Sequence, residues 1–100
     1  MAAYIIFVRD RITDAEAFAA YGPMAGAARG DHPLKPLAFY GDIETLEGLH
    51  SDGVVLLEFP TMEAAKAWYD SPAYQAAKAQ RLKGADYRVL LVQGVDKSAD

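Results

Sequence analysis

Arg81 and the tyrosines carry the clearest polar chemistry in this sequence. The planar guanidinium of Arg81 can hold a carboxylate through two hydrogen bonds, or it can form a salt bridge with Glu58 or Asp86. Six tyrosines add aromatic surface that carries hydroxyl groups, although half-buried tyrosines also occur simply as packing. A small organic acid or another small oxygenated metabolite is the ligand that these groups favour. The candidate ligand-binding residues are Tyr21, Tyr40, Trp68, Tyr69 and Arg81.

Two residues are candidates for proton transfer. Glu58 is the polar exception in the apolar run Val54–Phe59, and an unpaired buried carboxylate is costly, so Glu58 is either half of a salt bridge or a catalytic base. His32 and His50 both fall in predicted turns, where a solvated histidine is the ordinary interpretation. His32 is the better base, because its loop follows the first predicted helix and could border a pocket.

Composition excludes several classes of function. The chain has no cysteine, which rules out disulfides, zinc–thiolate sites, iron–sulfur clusters and thiol catalysis. Two histidines are too few for a three-histidine metal site, so we expect neither a metal nor a cofactor. The net charge of -4 disfavours nucleic acid as a partner. The apolar run near the N-terminus is too short to span a membrane, and we expect a cytoplasmic protein.

Three strands and one bent helix are predicted in the first part of the chain and around its middle. A buried strand over Tyr4–Val8 is followed by a helix over 14–29, which begins at a capping box formed by Thr13 and Glu16. Gly22-Pro23 should bend this helix. The next strand, from Leu37 to about Leu46, is the least apolar and belongs at a sheet edge, paired as a hairpin with Val54–Phe59.

The second part of the chain predicts another interrupted helix and a last strand. Thr61 caps the first section, and Ser71 caps a second section that starts with Pro72 and runs to Lys83. Gly84 is expected to be the C-cap, followed by a strand over Tyr87–Val92. We expect one domain over residues 1–95 and a polar tail over 96–100.

The predicted order is β-α-β-β-α-β, an α+β fold. Right-handed crossovers place strands one and three at the centre of a four-stranded antiparallel sheet with both helices on one face. Side chains alternate along a strand, so Ile5 and Phe7 point to one face while Tyr4, Ile6 and Val8 point to the other. Both faces are therefore apolar and the helices cover only one. A second copy packed face to face, in a barrel-like homodimer, is the simplest cover for the other.

Several stretches resemble an uncharacterised bacterial family, domain of unknown function 1330. The matching residues are Leu46-Glu47-Gly48, Glu58-Phe59-Pro60, the run from Ala64 to Gln75, and Arg81. That family resembles the ferredoxin-like, dimeric α/β-barrel superfamily, so the resemblance implies a ferredoxin-like fold and a homodimer. The stretch Gly30–Pro36 departs from the Gly-Gly-Arg-Tyr-like pattern of relatives, which puts ligand contacts there in doubt.

The superfamily includes cofactor-independent monooxygenases, isomerases, haem-degrading enzymes and members without known activity. Trp68 is similar to a tryptophan of the haem-degrading members, but their histidine ten residues later corresponds to Lys78, a poor iron ligand when protonated. Haem degradation is therefore disfavoured, and Trp68 is also a natural core residue. Two functions stay open: a ligand-binding or purely structural homodimer, and a cofactor-independent monooxygenase or isomerase that uses His32 or Glu58 as its base.

Overall fold

The computed structural model describes residues 1–95 and contains one four-stranded antiparallel sheet with the order β2-β3-β1-β4. The strands are β1 (Ala3–Ile12), β2 (Lys35–Phe39), β3 (Gly53–Phe59) and β4 (Ala85–Gln93). The helices are α1 (Ala15–Phe18), α2 (Tyr21–Ala27), α3 (Met62–Tyr69) and α4 (Pro72–Gly84). This is the predicted ferredoxin-like α+β arrangement, with the two most apolar strands at the centre. The predicted tail over 96–100 lies outside the described residues.

The first helix differs in detail from the prediction. Asp14, not Thr13, is the N-cap of α1, and its carboxylate accepts a hydrogen bond from the Ala17 amide at 3.1 Å. The amide of Thr13 instead donates to the Gly84 carbonyl at 2.8 Å. The break between α1 and α2 precedes Gly22-Pro23, because the proline ring lacks an amide hydrogen and would clash with the carbonyl four residues earlier.

The second helical section follows its sequence signals closely until its end. Thr61 and Ser71 both act as N-caps, and Pro72 opens α4. Gly84 is not a left-handed C-cap; it is the last residue of α4, and Ala85 after it is already extended. Glycine is required there for a different reason. A Cβ atom on Gly84 would lie 2.6 Å from both the Asp14 carbonyl oxygen and the Phe18 amide nitrogen.

Strand β2 lies earlier and is shorter than predicted. It spans Lys35–Phe39 instead of Leu37 to about Leu46, and the next residue, Tyr40, has a left-handed φ of 53°. Pro36 lies inside the strand, next to a shift in the pairing register with β3. An edge strand tolerates this proline, since its missing amide hydrogen removes no bond from the interior of the sheet.

The helices cover only one of the two faces of the sheet. Ile5, Phe7 and the alternate residues Val55, Leu57 and Phe59 of β3 are buried beneath the helices. The opposite surface, here called the open face, carries no covering element within residues 1–95. It is formed by Tyr4, Ile6, Val8, Val54, Leu56, Glu58, Leu90, Val92, Lys35, Ala38 and Arg88. The molecule is accordingly a thin slab, only 17 Å along its shortest principal axis.

Alanine substitutions at two glycines test the close approach of α4 to α1. Gly84→Ala should lower the free energy of unfolding by about 2 kcal/mol, because the new methyl group meets backbone atoms that cannot move aside. Gly26→Ala is the matched control, since a Cβ there meets nothing within 4 Å. It should raise stability by about 0.5–1 kcal/mol. Urea denaturation measures both, and an equal effect of the two substitutions would contradict the contact.

Candidate functional site

A cavity of about 360 Å³ lies between α2 and the helix-covered face of β2 and β3. Its volume falls in the range of about 300–1,000 Å³ that small-molecule sites occupy. Most of its lining is aromatic or aliphatic. The lining residues are Phe7, Phe18, Tyr21, Gly22, Ala25, Gly26, Arg29, Leu34, Pro36, Phe39, Tyr40, Val55, Leu57 and Trp68.

Arg29 is the charged residue of this lining. It is exposed at the cavity mouth, and its guanidinium donates to the Leu34 carbonyl at 2.9 Å. No aspartate, glutamate or histidine lines the cavity within residues 1–95. The predicted helix over 14–29 ends at Arg29, which is not among the predicted ligand-binding residues. The sequence does contain a signal that Arg29 faces the cavity, because Tyr21, Ala25 and Arg29 recur every four residues and thus share one helix face.

Arg81 lies behind the aromatic wall of the cavity and not in its lining. Its side chain is 3% exposed, and its Nε atom has no hydrogen-bond partner within residues 1–95. The guanidinium carbon lies 5.9 Å from the ring centres of Phe7 and Tyr21, and 5.1 Å from that of Tyr87. Phe7 and Tyr21 also line the cavity, so one layer of rings separates the cation from the cavity space.

Neither acidic residue predicted as an alternative partner neutralises Arg81. Glu58 lies on the open face, where β3 places it opposite Lys35 of β2 and Tyr4 of β1. Asp86 accepts a hydrogen bond from Arg11 at 2.7 Å. The faces of aromatic rings attract a cation, but they carry no net negative charge. A positive charge therefore remains uncompensated beside the cavity among the residues that the structure describes.

Two tyrosine pairs extend this polar layer. The hydroxyls of Tyr21 and Tyr74 are hydrogen-bonded at 2.7 Å, and those of Tyr40 and Tyr87 are also bonded to each other. Burial raises the pKa values of Tyr21, Tyr74 and Tyr87 above the ordinary tyrosine range. These hydroxyls stay protonated at neutral pH. Each pair uses one hydrogen internally, so each retains one that can be donated elsewhere.

The remaining predicted residues are divided between the cavity and other surfaces. Trp68 lines the cavity, and its buried Nε1 atom has no hydrogen-bond partner among residues 1–95. Tyr69 borders a separate groove with Lys66 and Asp70. His32 is half-buried in the loop beside Arg29 and does not line the cavity. The structure thus brings Tyr21, Tyr40 and Trp68 together around the cavity, places Arg81 behind them, and leaves Tyr69, His32 and Glu58 outside.

Within residues 1–95 no group of three or more histidine, cysteine or acidic side chains could hold a metal ion. No helix in this range is long and apolar enough to cross a bilayer.

Comparison with known proteins identifies the family. The chain matches the Domain of unknown function (DUF1330) over residues 2–95, and it belongs to that family. No functionally curated protein matches the chain.

Three solved structures illustrate the fold relationship. A protein of unknown function from Rhodopseudomonas palustris, RPA0582, superposes with a TM-score of 0.75 at 22% identity, over 95% of this chain and 83% of that one. A dimeric protein of unknown function with a ferredoxin-like fold from Bacteroides fragilis has a TM-score of 0.63 at 10% identity, over 93% and 96%. SnoaB, a cofactor-independent oxygenase from Streptomyces nogalater, has a TM-score of 0.63 at 8% identity, over 99% and 97%. At these identities the likeness concerns the fold alone.

Proposed function

We propose that the cavity binds a small organic acid as its anion. The observation that carries this proposal is the combination of an apolar cavity, Arg29 at its mouth, and the buried charge of Arg81 behind its wall, which no acidic side chain of residues 1–95 neutralises. The carboxylate meets Arg29 directly and the apolar part of the ligand packs against Phe7, Tyr21 and Trp68.

Electrostatics favour an anion over a neutral ligand in this cavity. A charge that is removed from water interacts strongly across short distances, because the effective dielectric constant of a protein interior is low. Arg81 therefore stabilises a carboxylate through the ring layer without touching it. The protonated tyrosine hydroxyls offer hydrogen-bond donors, which also suit an acceptor-rich ligand.

The alternative function is catalysis as a cofactor-independent monooxygenase or isomerase. SnoaB, which has a similar fold, is a cofactor-independent oxygenase. Such a reaction needs a group that removes a proton, and His32 and Glu58 were the sequence candidates. Neither lines the cavity, so in this alternative the substrate's own acidity would have to supply the reactive anion. Binding is accordingly the function that we favour.

Matched acids and amides test the binding proposal. Isothermal calorimetry with benzoate, phenylacetate and hexanoate should detect binding, whereas benzamide, phenylacetamide and hexanamide should bind at least about tenfold more weakly. Arg29→Ala should weaken acid binding by roughly tenfold or more, because it removes a charge-assisted hydrogen bond of about 1.5–3 kcal/mol. Lys83→Ala removes the same charge from an exposed site at the end of α4 and should leave the affinity unchanged. Amides that bind as tightly as the acids, or no binding by any of the six compounds, would refute the proposal.

We further propose that the protein is a homodimer in which the open faces of two copies pack together, closing a dimeric α/β barrel. Leu90 and Val92 are 54% and 47% exposed on this face in the single chain. Monomers rarely expose large contiguous apolar patches, so the apolar residues of this face favour a covering partner. Its charges are mixed, since Glu58 faces Lys35 across the strands and Arg88 is paired with Asp10, so a second copy is not repelled. The cytoplasmic location stays a prediction from the sequence.

Sedimentation equilibrium tests the dimer. At micromolar concentration the wild-type chain should sediment at twice its 10.9 kDa mass. Leu90→Asp should produce monomers, because it buries a carboxylate in the interface. Leu82→Asp introduces the same charge at an exposed leucine on α4, away from the open face, and should stay dimeric. A wild-type particle of 10.9 kDa would contradict the assembly.

A further inference from the structure

The two tyrosine pairs beside the cavity are built alike. In each pair one tyrosine lines the cavity and the other lies behind the wall. Tyr21 and Tyr40 are the lining members, and their partners Tyr74 and Tyr87, here called the rear tyrosines, do not line it. Each rear tyrosine also stands beside an arginine. The direction of the hydrogen bond within each pair therefore decides whether the cavity is offered a donor or an acceptor.

Arg81 sets the direction of the first pair. It follows Tyr74 by two turns of α4, and both side chains are buried. Burial raises the pKa of Tyr74 overall, while the Tyr21 hydroxyl and the Arg81 guanidinium lower it in part, so both groups stand beside the Tyr74 oxygen. A guanidinium has hydrogen-bond donors only, so the Tyr74 hydrogen turns toward Tyr21. Tyr21 accepts this bond at 2.7 Å and keeps its own hydrogen, for which residues 1–95 supply no acceptor.

Arg9 has the same effect on the second pair. Its guanidinium lies 4.7 Å from the ring centre of Tyr40. Burial and the Tyr40 hydroxyl raise the pKa of Tyr87, and the Arg9 guanidinium lowers it in part, which places this second cation beside the Tyr87 oxygen. Tyr87 therefore donates to Tyr40, and Tyr40 keeps its own hydrogen. Asp52 forms a salt bridge of 2.6 Å with Arg9, so the cation behind this pair is balanced, unlike Arg81.

The cavity wall thus presents two phenolic O–H donors. Hydrogen-bond donors that are fixed in advance and aimed at one oxygen stabilise negative charge on that oxygen, above all where water is excluded. A neutral hydroxyl on the ligand gains less, because its own hydrogen also needs an acceptor. No aspartate, glutamate or histidine among residues 1–95 lines the cavity to accept it. The two donors therefore favour the ionised form of a weakly acidic hydroxyl group.

We propose that Tyr21 and Tyr40 form an oxyanion site in the cavity wall, which binds a phenolate or enolate oxygen of the ligand. This inference rests on the ligand site proposed above and adds a second recognised group, apart from the carboxylate at Arg29. The ligand is then a weak acid whose conjugated hydroxyl is held in its ionised form. That form is taken up from water, where its proton stays, so the cavity needs no base of its own.

Titration of bound 4-nitrophenol tests the oxyanion site, because this probe has a phenolic oxygen but no carboxylate, and its phenolate absorbs visible light. With protein in excess, the pKa of the bound probe should fall at least about one unit below that of the free compound, a tenfold preference for the phenolate. Tyr21→Phe should abolish most of this shift. Tyr40→Phe should abolish less of it, because Asp52 balances Arg9. Tyr4→Phe, on the open face, is the matched control and should keep the full shift.

Several results would overturn the oxyanion site. They are a wild-type protein that does not bind 4-nitrophenol, a bound probe with the pKa of the free compound, and folded phenylalanine variants that both keep the full shift. If Tyr21→Phe loses its circular dichroism spectrum, Tyr40→Phe alone must show a reduced shift.

The outcomes also separate this inference from the acid-binding proposal. If the shift survives both tyrosine substitutions but disappears in Arg29→Ala, the charge at the cavity mouth alone selects the anion. The oxyanion site is then overturned, while the acid-binding proposal stands. If the shift depends on the tyrosines but benzoate, phenylacetate and hexanoate do not bind, the oxyanion site is supported and the acid-binding proposal is refuted.

Discussion

Among residues 1–95 the buried guanidinium of Arg81 has no neighbouring carboxylate, and the chemistry proposed for this protein depends on that charge. Arg81 is removed from water on α4, and the rings of Phe7, Tyr21 and Tyr87 surround it. Burial of a charge costs several kcal/mol, and ring faces return only about 0.5–2 kcal/mol each. We propose that an anion bound in the adjacent cavity reduces this imbalance. Two of these rings, Phe7 and Tyr21, also form part of the cavity wall on which a ligand can pack.

The fold places this constraint at the junction of α1, α2 and α4. Gly84 lets the end of α4 touch the backbone of α1, and Phe18 of α1 then stacks against Tyr21 and Tyr87. The alternation of side chains in β1 and β3 supplies Phe7, Val55 and Leu57 to the cavity and core. The residues between them along the strands form the open face. One pair of central strands therefore contributes to both the proposed ligand site and the proposed interface.

The sequence predicted the architecture well because its signals were local and strong. Continuous apolar runs marked β1 and β3, and hydroxyl caps marked α3 and α4. The edge position of β2 and its pairing with β3 were predicted correctly, but its bounds were wrong, because the left-handed turn at Tyr40 carries no clear sequence signal. The role of Gly84 was also missed, since a close contact with α1 depends on tertiary packing.

The candidate site was harder to predict than the fold. Helical spacing places Tyr21 and Arg29 on the same face of the predicted helix. Arg29 is the last residue of that helix, however, and was not predicted as a site residue. Parity already placed Glu58 on the face opposite Phe59, and thus away from a cavity beneath the helices. No rule of spacing could show that Arg81 lies one ring layer behind the cavity, because that depth is set by how α4 packs on Phe7 and Tyr21.

The most direct test of the unbalanced charge is the substitution Arg81→Met, followed by both unfolding and ligand binding. Methionine keeps the buried volume without the charge, so the free protein should retain its free energy of unfolding within about 1 kcal/mol or gain stability. Its affinity for a carboxylate should fall by at least about tenfold relative to the wild type. A variant that loses about 3 kcal/mol or more of stability, yet binds the acid as tightly as the wild type, would contradict the account.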